Sequence, residues 1–246
     1  MQDKPVSKGV LDNDYALGRT KKPEFIFRYK TRALIAHWAV QHFSSHEGPY
    51  VVLDYGCAEG LTLRELTRLL PYSRAWGIEY SADLLAHADP RLPSDIRLLQ
   101  GDVAHVPESI EPGSIDLVTA LALMEHLPDP LAAIREAERL LRPGGLLVMT
   151  CPHPFWDDAA GMLGLLKEDQ HEQEIDRKVM HRLVLEAGLE HVCYQPFMWA
   201  PVGILPYARI PVPPAWSLKL DRFIGALKIF NWLFVNQCVV ARKKPV

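Results

Sequence analysis

Apolar residues change their period repeatedly along this chain, and the changes mark out its elements. From about Pro23 to Phe43 the apolar positions Ile26, Tyr29, Ala33, Leu34, Ala36 and Val40 recur at helical spacing. Tyr50–Tyr55 (YVVLDY) is a short β-branched strand that runs at once into glycines, and Leu63, Leu66 and Leu70 then share one face of a predicted helix over 61–70. Ala75–Glu79 reads as a second strand, and Ser81 as the N-cap of a helix over 82–88. Ile96–Gln100 and Ile115–Ala120 give a third and a fourth strand. Asp129-Pro130 caps and starts a helix expected to reach Arg142, where Pro143-Gly144-Gly145 stops it, and Leu146–Thr150 is a fifth strand. The remaining pattern predicts a helix over 173–187 ending at Gly188, a strand near 191–199, an irregular segment over 200–235 and a last strand at Asn236–Arg242.

Strands alternating with helices at these intervals must pair in parallel through helical crossovers. The expected fold is α/β: a doubly wound, Rossmann-like, mostly parallel seven-stranded sheet with an antiparallel edge pair and a helical lid. In such sheets a ligand sits beyond the carboxyl ends of the strands, where strand order reverses. Residues 1–22 read as a polar arm and 23–246 as a single domain, with 200–235 its lid or insertion. That segment carries five prolines together with Tyr207, Trp216, Phe223, Phe230 and Trp232, and Leu220, Phe223, Ile224, Leu227 and Phe230 recur at helical spacing. One reading makes it a cover for the sheet with some substrate contact. The sharper reading is an apolar wall for a hydrophobic or lipid-linked acceptor, in contact with a membrane surface.

Composition narrows the function classes. A formal charge of −3 over 246 residues speaks against a general nucleic-acid binder, which would show a basic face. The local excess of Lys and Arg in residues 1–32 reads as a solvated arm. Cys57, Cys151, Cys193 and Cys238 lie far apart and form no paired metal-ligand spacing, so we expect no metal site and reduced thiols in a cytoplasmic protein. The opening MQDKPVSKGV has no apolar run for a signal peptide, and Phe223–Val240 is interrupted by Lys228, Asn231, Asn236 and Gln237, too often for a membrane span.

The chemistry concentrates in VVLDYGCAEG, residues 51–60. A buried strand ends in Asp54, and Gly56 and Gly60 let the backbone turn tightly against a ligand. A nicotinamide loop would want G-x-G-x-x-G to present amides to a pyrophosphate. Here the spacing is Asp-x-Gly-x-Ala-x-Gly, and a carboxylate at the strand end repels phosphate but suits a ligand with an ammonium group and no phosphates. Glu79 closes the second strand, placed to accept the hydroxyls of a ribose. Asp102 follows the third strand, placed to accept from an adenine amino group, with Val103 beside it for the ring. Each acid alone is an ordinary turn residue. Three in succession at three strand ends are not.

With these residues in place the sequence resembles the class I S-adenosylmethionine-dependent methyltransferases, specifically the small-molecule (type 11-like) group with the pattern strand–EHLPDP–helix–LRPGG–strand. That pattern reads here IDLVTALALMEHLPDPLAAIREAERLLRPGGLLVMTCPHP, residues 115–154, and the likeness extends over roughly residues 45–200. The resemblance implies that Asp54, Gly56, Cys57, Ala58 and Gly60 line the methionine part of S-adenosylmethionine, that Glu79 binds the ribose, and that Tyr80, Asp102 and Val103 surround the adenine. Ala120, Leu121 and Leu123 would pack near the sulfonium. Ala58 departs from the family by replacing its usual middle glycine, and Ala122 stands where relatives often carry a polar residue. The Asn/Asp-Pro-Pro-aromatic motif of relatives that methylate DNA bases or release-factor amides is missing, its place taken by ALAL.

The implied function is methyl transfer to a small or medium-sized acceptor, apolar in one reading, with oxygen the leading acceptor atom. The alternative is a catalytically degenerate member of the fold that only binds. Methyl transfer from a sulfonium needs alignment, a dry site and, for an oxygen acceptor, a base. The candidate bases are His126 in MEHLP and His153 in TCPHPF, each also readable as a structural histidine, with His171 and His181 behind them.

Overall fold

The computed structural model describes residues 18–156, 174–227 and 231–245. Residues 1–17 of the expected arm, His171 and Phe230 lie outside them. Helix α1 (Pro23–Phe43) opens on a proline, where a missing N–H is no loss. Strand β1 (Tyr50–Tyr55) leads to α2 (Leu61–Leu69), and β2 (Tyr72–Glu79) to the short α3 (Ala82–Ala86). The Ser81 hydroxyl caps α3 by accepting from the Leu84 amide, as the sequence predicts. Strands β3 (Ile96–Gln100) and β4 (Ile115–Leu121) precede α4 (Pro130–Leu140), which Asp129 caps by accepting from Ala132 N. Then follow β5 (Leu141–Pro152), α5 (Arg177–Glu186), β6 (Glu190–Trp199), a short α6 (Ala200–Gly203), α7 (Pro214–Leu227) and β7 (Phe234–Arg242).

Several boundaries differ from the sequence expectation: α5 starts at Arg177 rather than 173, β7 at Phe234 rather than Asn236, and two further shifts have a clear physical cause. Helix α4 stops at Leu140, two residues before Arg142, because Pro143 forces its predecessor out of helical geometry. Leu141 is already extended and pairs with Ile115, so Pro143-Gly144-Gly145 form a bulge within β5. Strand β2 begins at Tyr72, pairing with Tyr50, where exposed Ser73 and Arg74 hide it from the apolar pattern.

The sheet order is β3-β2-β1-β4-β5-β7-β6. Strands β3 to β5 pair in parallel, whereas β7 runs antiparallel to both β5 and β6, giving the expected edge pair. Because side chains alternate across a strand, β5 and β7 feed two cores. Leu147, Met149 and Val239 face Ile134 and Ala137 of α4 and Val184 of α5. Val148 and Val240 face Ile35 and Ala39 of α1, Leu63 of α2 and Leu218 of α7. Full burial of each such aliphatic contributes roughly 1.5–3 kcal/mol. Helix α7 thus rests on β6 and α1. Strand order reverses between β1 and β4, and there the sheet opens toward solvent at its carboxyl edge.

Candidate functional site

Four strand ends build this edge. Asp54, next to last in the buried strand β1, is only 3% exposed, and the Thr119 hydroxyl on β4 donates to its Oδ1 at 2.6 Å. Burial pushes the Asp54 carboxyl up to about 7, and the Thr119 hydrogen bond opposes that rise. Near neutrality the group stands close to its proton equilibrium, so a cation placed against it would draw it fully into the ionised form.

The chain then turns back over β2. Gly56 N and Cys57 N donate to Ile78 O at 2.8 and 3.2 Å. Gly56 has φ +64, a backbone conformation that requires glycine, and a Cβ there would press on the tip of the Leu123 side chain at 2.7 Å. Ala58 sits in the left-handed region at φ +48, the conformation that the family's usual glycine adopts without cost. Its amide donates to Glu79 Oε2 at 2.9 Å, and the Ser81 amide donates to Oε1 at 2.9 Å. Glu79 therefore ties the loop to the end of β2, and each oxygen keeps a lone pair for a further donor. Beyond β3, Asp102 accepts from Ala104 N at 2.9 Å, and its other oxygen lies 3.6 Å from His105 Nδ1.

These groups surround a cavity of about 590 Å³, inside the roughly 300–1,000 Å³ of small-molecule sites. Asp54, Gly56, Ala58, Glu79 and Tyr80 form one wall, and Asp102 and Val103 a second. Leu121, Ala122 and Leu123 close the β4 side, with His126 and, from the N-terminal segments, Arg19 and Arg32 above them. Ala122 also has a left-handed backbone, φ +57, held by its amide donating to the Thr150 carbonyl and hydroxyl at 2.8 and 3.0 Å.

Other sequence candidates stand behind this wall. Cys57 is 2% exposed and packs against Gly77, where a Cβ would come within 2.5 Å of its sulfur. Burial pushes its thiol up, which makes it a space-filling residue. Gly60 turns at φ +80 against Leu92, and Ala120 is fully buried in the sheet. His153 caps the end of β5 outside the cavity wall, and burial holds its ring below the ordinary histidine range. His181 lies on α5 against His191, with ring centroids 4.7 Å apart. His126 alone among the described histidine candidates for a base lines the cavity, its side chain 14% exposed and Nε2 4.0 Å from Glu125 Oε1.

Sequence reasoning missed Arg19 and Thr62. Arg19 falls in the stretch read as a solvated arm, yet it is 7% exposed, with Nη1 3.3 Å from Glu59 Oε2 and Nη2 donating to Thr62 Oγ1 at 3.3 Å. It lies in a short stretch with no helical or strand periodicity of apolar residues, so no local pattern announces the burial. None of the described residues of α6 or α7 lines the cavity.

A twisted, mostly parallel sheet with a glycine loop after β1 and acids at the ends of β1, β2 and β3 is the arrangement of the class I methyltransferases. Comparison with known proteins agrees: residues 53–149 match the family model described as a methyltransferase domain. A ubiquinone biosynthesis O-methyltransferase of Cupriavidus pinatubonensis is 35% identical over 152 residues, covering 57% of this chain and 60% of that protein. A trans-aconitate 2-methyltransferase of Azoarcus is 34% identical over 105 residues, 42% of this chain and 40% of the other. The chain thus spans less than two thirds of the curated relatives it matches. Among solved structures, a SAM-dependent methyltransferase from Archaeoglobus fulgidus superposes with TM-score 0.64 at 15% identity, covering 94% of this chain and 100% of that one. The [4+2]-cyclase SpnF superposes with TM-score 0.61 at 18% identity, covering 87% and 82%. At such identities these two likenesses speak for the fold alone. Residues 53–149 thus resemble a methyltransferase domain, and the fold around them is that of the S-adenosylmethionine-dependent methyltransferases.

Proposed function

We propose that this protein binds S-adenosylmethionine in the cavity and transfers its methyl group to an oxygen of a small or medium-sized acceptor. One observation carries the reading: Asp54, Glu79 and Asp102, at three successive strand ends, face a single cavity. Its donor set fits the group. A buried carboxyl near its proton equilibrium suits an ammonium, two partly engaged carboxylate oxygens suit vicinal hydroxyls, and an acid beside Val103 suits an amino-bearing ring. When bound, S-adenosylmethionine supplies a methyl group on a positively charged sulfur.

The protein's part is alignment and exclusion of water. Asp54 holds the amino group, Glu79 the ribose hydroxyls, and Asp102 the edge of the base against Val103 and Tyr80. The backbone of Gly56 and Ala58, which lines the cavity, would hold the methionine part. Leu121 and Leu123 keep the transfer site apolar, which favours dispersal of the sulfonium charge. His126 takes the proton from the attacking oxygen through a ring nitrogen. The family names of the relatives, one of them an O-methyltransferase, favour oxygen over nitrogen.

Calorimetric titration with S-adenosylmethionine and S-adenosylhomocysteine, beside Asp54→Ala, tests the first half. Micromolar binding by the native chain and its loss in the variant are the expected results. A folded chain that binds neither compound would instead make this a degenerate member of the fold. For the second half, product S-adenosylhomocysteine is followed with phenolic and carboxylic acceptors. His126→Gln should lower kcat by about 10²–10⁴ with little change in cofactor affinity.

A further inference from the structure

Helix α7 wears its amphipathicity the wrong way round for a soluble cover. Its inner face buries Ser217, Leu218, Asp221 and Ile224, two of them polar. Its outer face presents Trp216, Phe223 and Leu227 to solvent at 53%, 67% and 48% exposure, with exposed Lys219 and Arg222 between them. The flanking segments add exposed Ile204, Tyr207 and Trp232 and the cation Arg209.

The charge of this region is one-sided. From Trp199 to Phe234 the chain carries four Lys and Arg (Arg209, Lys219, Arg222 and Lys228) but a single acid, Asp221. That acid is fully buried, its two oxygens accepting from Met198 N and Trp199 N at 2.8 and 2.9 Å. The described residues from α6 to β7 thus expose apolar and cationic side chains and no carboxylate of their own, in a chain whose net charge is −3.

We propose that the outer face of α7 docks the protein on an anionic lipid bilayer. Trp216, Phe223 and Leu227 enter the boundary between headgroups and acyl chains, while Lys219 and Arg209 remain at the level of the lipid phosphates and Arg222 lies over the Trp38 ring of α1, 5.5 Å from its centroid. A helix bearing Trp, Phe and Leu among Lys and Arg has the chemistry of an interfacial helix, and anionic lipid supplies the complementary charge. A second copy of this face is a poor occupant, because a two-fold contact would set its cations against one another. The consequence for catalysis is one of access: α7 packs on α1, whose Arg32 lines the cavity. Docking through α7 brings that side of the molecule to the bilayer.

The test is co-sedimentation of the purified chain with vesicles of phosphatidylcholine alone and of phosphatidylcholine mixed with phosphatidylglycerol, read together with tryptophan emission. Binding to the mixed vesicles only, weakened by added salt and accompanied by a blue shift, is the expected result. Trp216→Ser with Phe223→Ser should reduce partitioning at least about tenfold. Lys219→Glu with Arg209→Glu should do the same at low salt. All four positions are exposed, so thermal unfolding should move little and a folding defect is separable from a docking defect. Absence of binding to the mixed vesicles at low salt would overturn the proposal. So would binding that the four substitutions leave unchanged, or a concentration-dependent dimer that the apolar pair abolishes without any vesicle binding. None of these readouts involves methyl transfer, so failure here leaves the proposed function standing.

Discussion

Asp54 illustrates how a ligand group is kept ready at a cost to the empty protein. Its folded carboxyl, at about 7, lies above the ordinary aspartate value of 3.8. Between those values the folded chain holds more protons than the unfolded one, so this group's contribution to stability falls as pH rises from about 4 to 7 and is level above. Cofactor affinity should run the other way, rising with pH up to about 7 as the carboxylate forms. Asp54→Asn, which keeps an acceptor for Thr119, should therefore raise the stability of the unliganded protein at neutral pH, on the order of 2 kcal/mol. The same change should cost at least about tenfold in cofactor affinity. Denaturant unfolding at pH 5 and pH 8 together with calorimetry reads both effects, and a destabilised Asn variant at pH 8 would sink the argument. Glu79 works differently: Glu79→Gln sets an NH₂ against a backbone N–H. It should cost about 1–3 kcal/mol through the Ala58 or Ser81 amide, besides weakening binding. Asp54, Glu79 and Asp102 were all legible because each follows a clear strand. Arg19 was not, since its burial depends on Glu59 and Thr62, some forty residues away in sequence.

Elements with strong local signals were read closely, and those set by tertiary pairing were not. The caps at Ser81 and Asp129 stand where the sequence puts them, because an oxygen accepting from an amide three residues on is a local event. The end of α4 and the start of β2 were misplaced because pairing with β4 and β1 decides them. The Gly56 turn was visible as a glycine, but its necessity comes from the left-handed backbone, φ +64, that the turn onto Ile78 imposes. Helix α7 was foreseen from Leu220, Phe223, Ile224 and Leu227, though which face turns outward was not. That orientation is fixed by Asp221, whose carboxyl is pushed up to about 6 by burial against the pull of two backbone amides. Asp221→Ala strands both amides and should destabilise the protein by about 2–3 kcal/mol. If α7 loosens first, limited trypsin digestion will cut at Lys219 and Arg222 well before the rest of the chain. Uniform digestion would show instead that α7 unfolds only with the whole.

At the scale of the molecule, the cavity sits where strand order reverses, and its acids come from the part of the chain before β5. A ligand that binds only the folded form should stabilise it by about 2.7 kcal/mol at a hundred times its Kd. S-adenosylmethionine should thus raise the melting temperature measurably, and NAD, whose pyrophosphate meets Asp54, should not. Equal shifts with both would point to a different ligand class. The lopsided placement of charge around α7 has its own physical expression. A molecule that is negative overall, yet exposes cations and no carboxylate along the described residues from α6 to β7, presents a local basic patch. Such a molecule should be retained on a cation exchanger at pH 7 despite its net charge of −3, eluting earlier once Lys219 and Arg209 are reversed. Column behaviour would then report the orientation in which the protein meets any negatively charged surface.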